Sequence, residues 1–166
     1  MLSKKWTLIL PIILLIMSTG FVDNIKAQKQ KSQIESLVEK SEVIVLGKVT
    51  VMHSEWNKNK SKIYTRVSIK VIENLKGSEN NQTIVIKQLG GEVDGVGELY
   101  SHMPKFTQDE EALIFAKRDK ENNLIVTNGL EGKFQITKNM TTGEKTVGLY
   151  KSLDDFSSSI KSIIKE

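Results

Sequence analysis

Between positions 63 and 71 the chain alternates. Ile63, Val67, Ile69 and Val71 occupy odd positions, and Arg66, Ser68 and Lys70 occupy even ones. A period of two is that of a strand with one face in a core and the other in water. A helix cannot bury that set on one side, so the chain must build a sheet around it. The strand ends at Asn74-Leu75-Lys76-Gly77, where glycine can supply the positive φ of a turn.

Other segments join it. Glu42–Val51 is a β-branched run without helical spacing, which predicts a strand whose start is buried on both faces, with Gly47 as a bulge or close-packing point. Asn57–Lys62 is a polar hairpin loop between these two strands. Thr83–Leu89, Glu111–Lys117 and Leu124–Thr127 read as further strands, the last two joined by the polar turn Asp119–Asn123. Gly132–Thr137 and Lys145–Leu149 form a closing hairpin around Thr142-Gly143. Four glycines between Gly90 and Gly97 predict a long irregular loop, Glu98–Met103 a fourth strand, and Pro104 a break before Phe106 turns towards the core.

Helices bracket the strands. Ser32 and Glu35 have capping-box spacing and Ile34, Leu37 and Val38 share a face, so a short helix is expected over 32–41. Leu153, Phe156, Ile160, Ile163 and Ile164 form one apolar stripe, which predicts a helix over about 152–165 docked on the sheet. The expected fold class is mainly β: a small antiparallel, OB-like barrel over about 41–150 with an N-terminal helix and a C-terminal amphipathic helix.

The first segment stands outside that fold. Lys4 and Lys5 precede an apolar block from Leu8 to Met17 that gives way to Ser18, Thr19 and Gly20, which is the pattern of a signal peptide. Cleavage is expected after Ala27, leaving residues 28–166 as a single secreted domain. The apolar run is shorter than the roughly 20 residues that span a bilayer, so a retained anchor is the lesser alternative. The full chain carries 24 basic against 20 acidic residues. Without Lys4, Lys5, Lys26 and Asp23 the balance falls to 21 against 19, and the lysines are scattered, so nucleic acid is not an expected partner. The chain has no cysteine, which excludes disulfides, thiol chemistry and cysteine-based zinc sites.

The order of Val43–Val49, Tyr64–Gly77, Gly90-Gly91-Glu92, Pro104-Lys105-Phe106 and Glu110–Phe115 resembles a family of uncharacterised secreted bacterial modules that sometimes accompany metallopeptidase domains. The alternating strand that ends in Leu-Lys-Gly is also similar to the netrin-like module and the tissue inhibitors of metalloproteinases, which implies an OB-type barrel. Those inhibitors bind zinc through an N-terminal cysteine, so the mechanism does not carry over to a chain without one.

Candidates for chemistry are sparse. His53 and His102 are the only histidines, 49 positions apart. A zinc or general-base role for His102 needs Glu92, Asp94 and Glu98 brought to it by the fold, and a calcium site would draw on the same three carboxylates. Asp109-Glu110-Glu111 reads as a charged turn, because neighbours on an extended chain point to opposite faces. No catalytic residue, metal ligand or cofactor is assigned. Trp56, Tyr64 and Tyr100 offer aromatic contact surface for a sugar or peptide. The expected function is non-enzymatic binding of a protein, peptide or cell-envelope component, with membrane contact only through the signal peptide. Trp56, Glu92, Asp94, Gly95, Val96, Tyr100 and His102 are the candidate contact residues, on loops 55–62 and 90–104. A regulator of a secreted metalloprotease and an enzyme with a His–carboxylate site are the alternatives.

Overall fold

The computed structural model describes residues 28, 32–77, 82–148 and 151–165. The expected signal peptide and its cleavage point lie outside them. Two compact units divide the chain between Ser36 and Leu37, and the sheet belongs to the second. The fold is mainly β. Residues 32–40 are helical (α1). Among the described residues ten strands follow: β1 (Val43–Trp56), β2 (Ile63–Lys76), β3 (Thr83–Leu89), β4 (Gly91–Val93), β5 (Val96–Glu98), β6 (Glu111–Arg118), β7 (Leu124–Val126), β8 (Lys133–Lys138), β9 (Lys145–Val147) and β10 (Lys151–Ser152). A 3₁₀ turn (Gly129–Gly132) precedes β8, and helix α2 (Leu153–Lys165) ends the chain.

Eight strands make one sheet in the order β1-β2-β3-β7-β6-β8-β9-β10, and β1 also pairs with β6. All pairings are antiparallel except β3 with β7, which is parallel and rests on one residue pair, Ile86↔Leu124. The alternation at 63–71 acts as expected: Val67 and Ile69 are fully buried while Arg66 and Lys70 face water. They join Val43, Val45, Val49, Ile84, Ile86, Ala112, Ile114, Ala116, Leu124 and Val126 in one core.

β1 is buried on both faces at its start because a second apolar layer lies opposite the first. Ile44 pairs with Phe115 and Leu46 with Leu113, and all four are buried. On that side Phe115, Phe134 and Phe156 stack edge-on or tilted, with centroids 5.7 and 5.3 Å apart, and α2 buries Leu153, Phe156 and Ile160. Gly47 serves both roles read from sequence. The register shifts beside it, and a Cβ there would stand 2.4 Å from Ile69 Cγ2.

Three expectations fail. β1 runs on to Trp56 rather than ending at Val51, because its polar second half pairs with β2 all the way to the Trp56↔Ile63 closure. Gly90–Gly97 is not a long loop. It holds the hairpin β4–β5, turned by Asp94 (φ 52) and Gly95 (φ 79), an Asp-Gly pair with both central residues at positive φ, as a type I′ turn requires. Glu98–Met103 is not a strand: Glu98 closes β5, and a turn follows in which Met103 N–H donates to Tyr100 O at 3.1 Å.

Candidate functional site

The far end of the β1–β2 ribbon carries most of the residues singled out from sequence. Hairpin β4–β5 lies on this ribbon, and three hydrogen bonds fix it there. Gly90 N–H donates to Ile63 O (2.9 Å), and Ile63 N–H donates to Glu98 Oε2 (3.1 Å), so both main-chain groups of Ile63 hold the base of the hairpin. Thr65 Oγ1 donates its single proton to Gly90 O at 2.6 Å, so in the 3.0 Å contact with Ser54 it is Ser54 that donates. Tyr100 OH donates to the same Glu98 oxygen at 3.1 Å. That hydrogen bond, then burial and the carboxylate's charge, push the Tyr100 hydroxyl above the usual phenol range.

Gly91 makes the close approach possible. A Cβ on it would stand 2.4 Å from both Ser54 Oγ and Thr65 Oγ1, at a φ of +134° that side chains rarely adopt. Gly95 at the tip has φ +79° but open space around it. Gly91→Ala should therefore cost about 1–3 kcal/mol by forcing the hairpin off the ribbon. Gly95→Ala should cost less, because only backbone conformation resists it. Thermal denaturation of the two variants checks the order.

The chain beyond the hairpin, 99–110, is held by different means. His102 O accepts from Leu130 N–H at 3.2 Å, and the His102 and Tyr100 rings meet edge to face at 6.0 Å. Pro104 is buried and Phe106 packs against the core. Lys133 Nζ lies 2.7 Å from Glu110 Oε1, donates to Lys105 O at 2.5 Å, and sits 4.9 Å above the Phe106 ring centroid. Glu110 Oε1 also accepts from Thr107 N–H (2.9 Å). The side chains of this pair are only 10% and 7% exposed. Glu110 and its neighbour Glu111, which pairs with Lys145 at 2.5 Å, point to different partners, as extended geometry requires.

Two clefts open beside this segment. One, of about 650 Å³, is lined by Met52, Ser54, Thr65, the hairpin, Tyr100 and Phe106. The other, of about 460 Å³, lies where β3 and β7 part after their single pair, with Leu89, Met103, Pro104, Ile125 and Val126 as its apolar lining. Gln88 lines both, and its buried Oε1 has no hydrogen-bond partner.

The candidate residues do not form one site. Glu92, Asp94, Gly95 and Val96 are exposed on the hairpin, and Tyr100 and His102 stand in the turn behind it. Trp56 faces a third groove with Tyr64. His53 lies on β1, opposite Arg66 of β2 in the register. Glu98 is engaged with Ile63 and Tyr100, and among the described residues no three His, Asp or Glu side chains gather as a metal would need. Neither the calcium grouping nor the His102–carboxylate grouping is assembled.

Sequence reasoning missed two features. Leu99 is 81% exposed, and Val96 at the hairpin tip 49%. An apolar residue following a glycine-rich polar stretch was its only signal. The Glu110–Lys133 pair left none, because its members are 23 positions apart, one just before β6 and the other at the start of β8. Among the described residues no helix is long and apolar enough to cross a membrane. No protein-family model matches the chain, and no curated protein matches it.

Proposed function

We propose that this chain is a secreted, non-enzymatic binding module that recognises a protein, peptide or cell-envelope component through residues 90–107. The observation that carries this reading is the pairing of exposed apolar side chains with a rigid support. Leu99 projects from the lining of a cleft of about 650 Å³ and Val96 is exposed at the hairpin tip, while Ile63, Ser54, Thr65 and Glu98 hold the base of the hairpin on the β1–β2 ribbon. Contiguous apolar surface flanked by polar residues marks contact sites, and loops on a fixed scaffold carry recognition. A closed, OB-like barrel is the scaffold we propose. It is supported by the circuit of pairings β1-β2-β3-β7-β6 back to β1, with one parallel joint. Residues 1–27 are taken as the signal peptide on their charge and apolar pattern.

The test is a photo-crosslinking side chain at Leu99 in the full-length chain, expressed in its native cells. One discrete adduct, lost when Val96→Ser and Tyr100→Ala are added, is the expected result. No adduct, or one indifferent to those changes, overturns the assignment of this surface.

A further inference from the structure

The circuit of strands has one weak joint. Strands β3 and β7 pair at Ile86↔Leu124 alone, and beyond that pair they part. The cleft of about 460 Å³ lies there, within the roughly 300–1,000 Å³ of usual ligand sites. Lys87, Gln88 and Leu89 of β3 all line it, as do Ile125 and Val126 of β7. A cleft over one face of a strand meets alternate side chains, so successive residues from both strands place this one between two strand edges.

The alternation of the ladders fixes which main-chain groups face it. In an antiparallel pair every second residue turns its N–H and C=O to the partner, and the residues between turn theirs away. Gly90 N–H donates to Ile63 O (2.9 Å) and Val71 N–H to Gln82 O (2.8 Å), so the even-numbered residues of β3 bond β2, and Lys87 and Leu89 turn away from it. Thr127 N–H donates to Phe115 O (2.8 Å), so the odd-numbered residues of β7 bond β6, and Leu124 and Val126 turn towards β3. A continued ladder would join Val126 N–H to Lys87 O, and Leu89 N–H to Val126 O. The register stops before that step, which leaves these groups facing the cleft without a ladder partner.

Such an edge selects its ligand. A row of open N–H and C=O groups is a template for another extended chain, and an apolar cleft beside it takes every second side chain of that chain. Met103, Pro104, Ile125 and Val126 supply the apolar lining. Lys87 and Lys120 stand in the same lining as Asp119 and Glu121, so the cleft carries no basic stripe for a polyanion. A small apolar molecule would fill the lining and leave the edge unpaired, whereas an extended peptide meets both. Three residues of β3 line the cleft, about 10 Å of strand at roughly 3.3 Å per residue, so the paired stretch is short.

We infer that this cleft binds a short extended peptide, its main chain paired with the open edge of β3 at Lys87 and Leu89 and one apolar side chain set among Met103, Pro104, Ile125 and Val126. The inference rests on the binding-module reading and names a ligand class at a cleft that shares Met103 and Pro104 with the one Leu99 lines. Isotope-labelled full-length protein is titrated with capped pentapeptides, acetyl-Thr-Thr-Xaa-Thr-Thr-amide, with Leu, Phe or Ser at the centre. The Leu or the Phe peptide should shift the Leu89 and Val126 amide resonances saturably, and the Ser peptide should bind about tenfold more weakly. N-methylation of successive peptide amides should weaken binding about tenfold at alternate positions, because every second N–H pairs with the edge. Leu89→Pro should weaken it as much, since it removes an N–H that β2 does not use, and Leu89→Val, which keeps that N–H, should change it little. Thermal unfolding checks that Leu89→Pro folds, and if it does not, the methylated peptides decide. Flat titrations with all three peptides overturn the inference. So does binding indifferent to the position of the methyl group, which would mark an apolar pocket only, or a dimer of the free protein with the Leu89 and Val126 amides already protected. Peptides that fail while Leu99 still crosslinks remove this cleft alone. Peptides that titrate while Leu99 captures nothing remove the 90–107 surface alone.

Discussion

Lys133→Ala should destabilise the protein by about 3–5 kcal/mol, because it leaves the Glu110 carboxylate buried without its cation. That is a large part of the roughly 5–15 kcal/mol that holds a typical domain together. The side chains are 10% and 7% exposed and 2.7 Å apart, so the carboxylate would lose its cation in a largely buried position. The backbone most affected is 105–110, since the same ammonium donates to Lys105 O and covers the Phe106 ring. The double variant Lys133→Met, Glu110→Leu should be less damaged than either single change. A pair removed whole leaves no unpaired buried charge; the Thr107 N–H and the Lys105 carbonyl lose a partner, and both residues are exposed to water. Urea denaturation of Lys133→Ala, and of the cycle formed by the wild type, Lys133→Met, Glu110→Leu and the double variant, checks both statements. A loss below about 1 kcal/mol for Lys133→Ala, or simple additivity, would sink this account of the 105–110 segment.

This pair also marks where the sequence stopped being readable. Periodicity is local, and what it could reach it reached: Val67 and Ile69 are buried, and Leu153, Phe156 and Ile160 form the buried side of α2. Glu110 with Lys133, or Lys87 with Glu121, depends on which strands become neighbours. That is decided by closure of the sheet and not by any spacing of residues. The hairpin was a different failure. Four glycines predict an irregular loop, whereas the Asp94-Gly95 pair inside them carries a specific turn geometry and Gly91 a close approach to Ser54 and Thr65.

The site divides in the same way. That Trp56 and Tyr64 both line one groove follows from a hairpin closing at 57–62, and that loop is legible in the sequence. That Tyr100 belongs to a different surface follows from Glu98, which turns back to Ile63 and carries the Tyr100 hydroxyl with it. No rule of spacing assigns a glutamate to a main-chain amide 35 positions away. Chemistry-bearing residues that looked contiguous in the chain were therefore separated by one long-range hydrogen bond.

Phe115→Ala should cost about 3–5 kcal/mol, as truncation of a fully buried aromatic ring does. The ring is one end of the Phe115–Phe134–Phe156 stack, and β6, which carries it, pairs with β1, β7 and β8. A cavity there loosens the strand on which the largest number of others depend. Phe156→Ala removes the opposite end of the stack at a similar total cost, but its effect should begin locally. Helix α2 follows the marginal strands β9 and β10, and its Lys161–Glu73 ion pair, half exposed, is worth at most about 1 kcal/mol. Native-state hydrogen exchange separates the two cases. In Phe156→Ala, protection should fall first across Leu153–Lys165 while β1 and β6 stay slow. In Phe115→Ala, β1, β6 and β8 should lose protection together. Equal loss throughout both variants would mean that α2 is no separate layer on this sheet, and that the two apolar faces of β1 melt as one.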